Sequence, residues 1–303
     1  MTRHIIAPDW LVKDYVFPAD VRVTENDDLA DLPLDVIADA QFIVLPYLGS
    51  SISHDEAISR MTNVEVVQTL TAGFDSVLPH IPQGVTLCNA AGVHDDATSE
   101  LAVLLTLSAL RDLPRSFAAQ QTHTWETYFG KSLADKHVVL IGYGNVGKAA
   151  ERRLLAFGCT VTPVATTARD HVRTVADLPE LLPTADVVIL IVPHNAGTVN
   201  LVDAKFLASM KDDALLVNVA RGVVVDTQAL LVELSSGRLS AALDVTEPEP
   251  LPADHPLWSM PNVIITPHIG GEGDVFWDRA RTRIHDQFDR WLSGQPLECV
   301  ITQ

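Results

Sequence analysis

Cysteine, basic residues and long apolar runs are all scarce in this sequence. Three cysteines occur in 303 residues. Cys88, Cys159 and Cys299 lie far apart and form neither a CxxC pair nor a Cys/His ligand spacing, which excludes a disulfide scaffold and offers no metal site. Reduced, buried thiols are expected. Lys and Arg number 21 against 39 acidic residues, a formal charge of −18. So acidic a surface repels phosphate backbones and anionic lipid, so neither a nucleic acid nor a membrane is an expected partner. The longest apolar helical stretch, Leu101 to Leu110, is bracketed by Glu100 and Arg111 and is shorter than the roughly 20 residues that span a bilayer. The opening MTRHIIAPDW has no apolar signal core, so a cytoplasmic location is expected.

What is present describes an ordinary folded chain: 47% hydrophobic and 20% charged residues, long enough for about two domains at roughly 100–200 residues each. Up to Asn89, short β-prone runs at Ile5–Ala7, Phe42–Leu45, Val64–Thr69 and Val85–Cys88 alternate with polar or helical connections, the pattern of a small parallel α/β domain. Asp96–Leu113 is Ala/Leu-rich without Gly or Pro until its end and reads as one long helix. A stretch without helical or strand period follows at 116–136. Six further strand-like runs begin at His137, Thr160, Asp186, Ala214, Ser240 and Asn262, as a doubly wound dinucleotide fold requires. An amphipathic helix over Asp274–Leu292 then leads the C-terminus back toward the first domain. The expected fold is α/β with two doubly wound parallel-sheet domains, a Rossmann domain and a smaller flavodoxin-like one. The expected division assigns 1–97 with 285–303 to the smaller domain and 98–284 to the dinucleotide-binding domain.

The strongest local signal is HVVLIGYGNVGKAAERRLLAFG. Gly142, Gly144 and Gly147 form a GxGxxG directly after an apolar run and at the start of a helical one, with Asn145 and Val146 inside the loop. The first glycine permits the tight turn, the second lets backbone approach a pyrophosphate, and the third allows close helix packing. Gripping the ribose 2′-hydroxyl of NAD would call for an acid at the end of the next strand, but CTVTPVATTARDH offers Thr166, Thr167 and Arg169. Hydroxyls and a cation suit a 2′-phosphate, so NADP is favoured over NAD. In the competing reading Asp170 reaches the ribose and Arg169 is merely solvated.

These motifs and several others occur in an order that resembles the D-isomer-specific 2-hydroxyacid dehydrogenase family, and is similar above all to its glyoxylate/hydroxypyruvate reductase branch. They are LTAGFDSV, CNAAGVHDDATSELAV, GYGNVG, VPHNAGTVNLV, NVARGVVVD, LDVTEPEPLPADHPLW and TPHIGG, which together span nearly the whole chain. The resemblance implies an NAD(P)-dependent oxidoreductase acting on a small 2-keto or 2-hydroxy acid, working as a homodimer with 116–136 as its arm. It implies that Arg221 holds the substrate carboxylate and polarises the keto oxygen, that His268 donates the proton, and that Glu249 supports the imidazole. The chemistry independently asks for such groups: a permanent planar cation for a carboxylate and a donor for a developing alkoxide. Of the eleven histidines, His94 and His194 also lie in motif loops, but only His268 stands after a strand end and just before Gly270 and Gly271.

The same resemblance implies that Ala72 and Gly73 present backbone amides to the carboxylate. Asp244 would face the nicotinamide carboxamide, Val192, Pro193, Thr198 and Gly270 would border the cofactor, and Ala220 would supply a backbone contact. Thr98 reads either as a cofactor-phosphate contact or as a cap of its own helix. Tyr47 and Leu48, in VLPYLGSS, would line the substrate pocket; Tyr47 either hydrogen-bonds the substrate or simply packs. Only Arg3, Lys13, Arg22 and Arg60 are basic before Glu100, which argues for an unphosphorylated keto acid of the glyoxylate or hydroxypyruvate type. The alternatives are a phosphoglycerate dehydrogenase-like enzyme and a catalytically silent NAD(P)-sensing binding protein. Formate oxidation is disfavoured, because Gln is expected where Glu249 stands. The chain runs to Gln303, so no appended regulatory domain is expected.

Overall fold

Apolar runs of three to six residues make most of the inner strands, and their burial explains their composition. In the computed structural model, which describes residues 2–47 and 53–301, the chain divides into two units, 1–94 with 274–303, and 95–273. The first unit contains β1 (Arg3–Ala7), β2 (Val21–Glu25), β3 (Phe42–Val44), β4 (Val66–Gln68) and β5 (Thr86–Cys88). They pair in the order β2-β1-β3-β4-β5, all parallel, and Val300–Ile301 adds an antiparallel edge on β5 with Val300 opposite Cys88. This is the flavodoxin-like strand order. Ile5, Ile6, Phe42, Ile43 and Val67 are wholly buried, since a parallel sheet is covered on both faces and its strands lack a polar alternation. The edge strand β2, VRVTE, has no fully buried residue, and no apolar run announces it.

The helix Phe276–Ser293 turns Phe276, Ala280, Ile284, Gln287 and Phe288 inward, a spacing that keeps one face against the β1 and β3 side chains Ile5, Phe42 and Val44. Because this face packs on the first unit's core from its first turn, the unit begins again at Asp274, not at the expected residue 285. The helix also carries Arg279, Arg281, Arg283 and Arg290, cations missed by a count over the first hundred residues. Arg281, Arg283 and Arg290 pair with Asp278, Glu298 and Asp286 respectively. Burial pushes the Cys88 thiol up to about 11. Cys159 is likewise buried, whereas Cys299 is half-buried.

The second unit holds β6 (His137–Ile141), β7 (Thr160–Ala165), β8 (Arg173–Thr174), β9 (Val187–Leu190), β10 (Leu215–Asn218), β11 (Ser240–Leu243) and β12 (Val263–Ile265). Their order is β12-β11-β10-β9-β6-β7-β8, parallel throughout. β6 lies between β7 and β9, so the winding reverses there, and the crevice outside the carboxyl ends of β6 and β9 is where such sheets bind ligands. The expected single helix over 96–113 is instead Asp95–Leu110 followed by Leu113–Gln121. Pro114 lacks an amide and fits only a first turn, and Asp112 at φ +51° breaks the chain's course before it. Part of the aperiodic stretch is therefore helical. Among the described residues no helix is long and apolar enough to cross a membrane, and no cluster of His, Cys, Asp and Glu suits a metal ion.

Candidate functional site

At the end of β6 the Gly142 amide donates to the Val164 carbonyl at 2.9 Å, and the chain turns with Gly142 at φ +106°. A Cβ there would lie 2.2 Å from the Ile191 carbonyl oxygen, and one on Gly147 would lie 2.3 Å from that of Gly142. Side chains at both positions are excluded by backbone. Gly144 is the opposite case: it caps the helix Asn145–Leu155, and a Cβ on it would meet nothing within 4 Å. The loop is thus closed toward the sheet and open over the helix N-terminus. Gly144 and Asn145 are exposed there and Val146 is half-buried. First-turn amides with no intrahelical acceptor, and the positive end of the helix dipole, make this opening a fit for a dinucleotide pyrophosphate.

Beyond β7, Thr166, Thr167, Arg169 and Asp170 are all exposed. Reciprocal backbone bonds between Arg169 and Val172, 3.3 and 2.7 Å, close a turn that places Asp170 at φ +45°. Arg169 is brought to the glycine loop. Its Nη2 donates to the Tyr143 carbonyl at 3.0 Å, and its guanidinium lies 5.8 Å from the Tyr143 ring centroid. The Tyr143 hydroxyl donates to the Glu151 carboxylate and is 3.2 Å from His171 Nε2; burial and Glu151 raise its pKa to about 12, so the phenol keeps its proton. Tyr143 was not singled out by its sequence, where it is only the variable residue between two glycines.

The loops after β10 and β11 form a second cluster. Asn218, buried at the end of β10, donates through Nδ2 to the Arg221 carbonyl at 3.0 Å and accepts from the Ala220 amide at 3.0 Å. This holds the turn that carries half-buried Arg221, whose Nη1 donates to the Ala220 carbonyl at 2.7 Å. After β11, Asp244 is 2% exposed and accepts from Thr266 Oγ1 at 2.6 Å, the Ile269 amide at 2.9 Å and the Gly270 amide at 2.8 Å. Its own carbonyl accepts the His268 amide at 2.8 Å. Asp244 therefore organises the 266–270 loop, in which His268 sits at φ +54°. The ring points its Nδ1 at Glu249 Oε1, 2.6 Å away, with both side chains partly exposed. An ionised carboxylate only accepts, so Nδ1 bears a proton and Nε2 is the nitrogen turned to other business. A Cβ on Gly270 would lie 2.9 Å from Asp244 Oδ2 and 3.5 Å from Thr98 Cγ2, so Thr98 packs its methyl against this loop.

Gly222 joins the two loops. A Cβ there would fall 1.9 Å from the Thr246 carbonyl oxygen, so the chain behind Arg221 rests directly on the chain leading to Glu249. Gly222→Ala is expected to force these loops apart and lower kcat/KM on the order of 10²-fold, the scale of an ångström misplacement at a reacting group. Steady-state rates on a variant whose melting shows it folded would check this.

The remaining candidates fall in two places. After β9, Thr198 Oγ1 donates to the Pro193 carbonyl at 2.7 Å and accepts from the Asn195 amide at 2.9 Å, shaping the turn beside Val192, which packs on the sheet core. In the first unit, the Tyr47 ring stacks on Phe276 with centroids 4.1 Å apart, Ala72 accepts from Asn89 Nδ2 and Gly73 from Thr71 Oγ1. Leu48 lies outside the described residues. Asn89 and Gly222 went unnoticed in the sequence; the available signals were a lone amide in an apolar run and a glycine following an arginine after a strand.

Residues 103–270 match the NAD binding domain of D-isomer specific 2-hydroxyacid dehydrogenases. The chain belongs to that family. The matched span lies wholly within the second unit, which is the family's nicotinamide dinucleotide-binding domain. Among curated relatives, a glyoxylate reductase of Thermofilum pendens is 36% identical over 71% of this chain and 68% of its own length. A D-3-phosphoglycerate dehydrogenase of Methanocaldococcus jannaschii is 31% identical over 88% of this chain and 53% of its own. Among solved structures, an NADPH-dependent glyoxylate/hydroxypyruvate reductase of Sinorhizobium meliloti, in complex with NADP and sulfate, superposes with a TM-score of 0.83. It is 27% identical and covers 99% of this chain and 98% of its own.

Proposed function

We propose that this dehydrogenase reduces a small, unphosphorylated 2-keto acid of the glyoxylate or hydroxypyruvate type to the D-2-hydroxy acid, with NADPH preferred. The observation that carries the reading is the His268–Glu249 pair at 2.6 Å in a loop organised by a buried aspartate. A bound reduced nicotinamide supplies the hydride for C2 of the keto acid. His268 donates from Nε2 to the oxygen as negative charge develops on it, and Glu249, accepting from Nδ1 at 2.6 Å, orients the ring. Arg221 provides a permanent cation for the carboxylate and keto oxygen. In the first unit, Ala72 and Gly73 offer amides to a carboxylate.

Gly144, Asn145 and Val146 would hold the pyrophosphate, and Thr166, Thr167 and Arg169 the 2′-phosphate. Val192, Pro193, Thr198, Ala220 and Gly270 would border the cofactor, with the Thr98 methyl beside Gly270. The S. meliloti neighbour that shares the fold holds NADP, which agrees with the absence of an acid at the end of β7. Of the cations before Glu100, Arg3, Arg22 and Arg60 are paired with Asp20, Asp39 and Glu56, which supports an unphosphorylated substrate. A homodimer built on 116–136 and a cytoplasmic location complete the reading.

Initial rates with NADPH and NADH against glyoxylate, hydroxypyruvate, pyruvate and phosphohydroxypyruvate test it. Glyoxylate or hydroxypyruvate with NADPH is expected to give the highest kcat/KM; a best rate with phosphohydroxypyruvate would replace this substrate with that of the phosphoglycerate dehydrogenase relatives. Arg169→Ala is expected to lower kcat/KM for NADPH by about 10- to 100-fold, the worth of a charge-assisted hydrogen bond, and to leave NADH nearly unaffected. Equal losses with both cofactors would remove Arg169 from the 2′-phosphate.

A further inference from the structure

Every carbonyl of the Leu70–Gly73 loop is tied down inside the first unit. The Leu70 carbonyl is 2.8 Å from His94 Nε2. That of Thr71 accepts the Ala90 amide at 2.9 Å and Thr69 Oγ1 at 3.0 Å. The Ala72 carbonyl accepts Asn89 Nδ2 at 2.7 Å, and the Gly73 carbonyl accepts Thr71 Oγ1 at 2.6 Å. In a planar trans peptide the carbonyl of one residue and the amide of the next point in opposite directions. Anchoring the carbonyls of Leu70, Thr71 and Ala72 therefore aims the amides of Thr71, Ala72 and Gly73 the other way, and none of these three amides donates to a described residue.

The anchors are themselves fixed. Asn89 is 6% exposed, and its Oδ1 accepts the Ala91 amide at 3.2 Å, which sets which end of the side chain carries the donor. His94 is 6% exposed. Its ring lies nearly parallel to that of Phe276, 5.2 Å away, and to that of Tyr47, 5.7 Å away. A carbonyl only accepts, so Nε2 of His94 carries the proton.

We infer that Asn89 and His94 are positioning residues that fix substrate affinity through the backbone, aiming three amides at the carboxylate of the keto acid, with Tyr47 backing the His94 ring. This rests on the keto acid reading above. Three amides already aimed need no reordering when an anion arrives, so loosening an anchor weakens anion binding and leaves the dinucleotide site of the other unit alone.

The test uses the full chain and compares glyoxylate with its uncharged methyl ester. Asn89→Asp keeps the acceptor for Ala91 and removes the donor to Ala72; His94→Leu removes the donor to Leu70; His94→Gln restores an N–H. In Asn89→Asp and His94→Leu, KM for glyoxylate is expected to rise about tenfold, the worth of one hydrogen bond, and the preference for acid over ester to fall with it. KM for NADPH is expected to stay within about twofold, and His94→Gln to recover most of the loss. An unchanged acid-to-ester preference in both variants, or a parallel rise in KM for NADPH, overturns the inference while the keto acid reading stands. A wild-type enzyme that turns over ester as readily as acid removes the carboxylate reading, and the inference with it.

Discussion

His268→Gln is expected to lower kcat for keto acid reduction by about 10²- to 10⁴-fold, the contribution of a positioned general acid. Gln retains an N–H for Glu249 but has no dissociable proton to give a developing alkoxide. The loop should survive, because it is held through other atoms: the Asp244 carboxylate binds Thr266 Oγ1 and the amides of Ile269 and Gly270, and position 268 contributes its backbone amide to the Asp244 carbonyl. Titration of NADPH fluorescence should therefore report nearly unchanged cofactor affinity. Activity within a fewfold of wild type would assign the proton to another group. Glu249→Gln is the milder companion, since it keeps an acceptor for Nδ1 and removes only the charge.

Arg221→Ala is expected to abolish measurable reduction, by at least about 10³-fold in kcat/KM, because ground-state binding of the carboxylate and polarisation of the keto oxygen are lost together. Arg221→Lys should recover only part of this, since an ammonium supplies charge without the planar fork. The turn itself does not depend on the guanidinium: Asn218 holds it through the Ala220 amide and the Arg221 carbonyl. Binding of oxalate, followed by calorimetry in the presence of NADPH, separates the effects. Unchanged oxalate affinity in Arg221→Ala would take Arg221 out of the substrate site.

How much of this was legible in the sequence varies with the range of the forces involved. The glycine loop could be read because its requirements are local: a turn at Gly142, an open cap at Gly144 and tight packing at Gly147 all follow within one strand, turn and helix. The order Thr166, Thr167, Arg169 without an acid was equally plain. Arg221, Glu249 and His268 were marked by motif register; of the three, the structure pairs His268 with Glu249, 19 positions apart, at 2.6 Å. The edge strands β2 and β8 were missed, because strands that bury little carry no apolar run. The single long helix was overextended because Pro114 suits the first turn of a new helix as well as the end of an old one.

The sequence by itself determined the class of fold, the glycine loop and the chemical types available, since periodicity, glycine placement and side-chain chemistry are properties of short stretches. Only the tertiary structure decided which polar groups serve others: Asp244 binding the 266–270 loop, Gly222 lying against Thr246, Arg169 bonded to the Tyr143 carbonyl, and Asn89 and His94 holding the carbonyls of the 70–73 loop. It also decided that the helix Phe276–Ser293 belongs whole to the first unit. Each of these depends on contacts between residues that are distant in sequence, and a buried hydrogen bond or a sub-van-der-Waals approach has no sequence period to betray it.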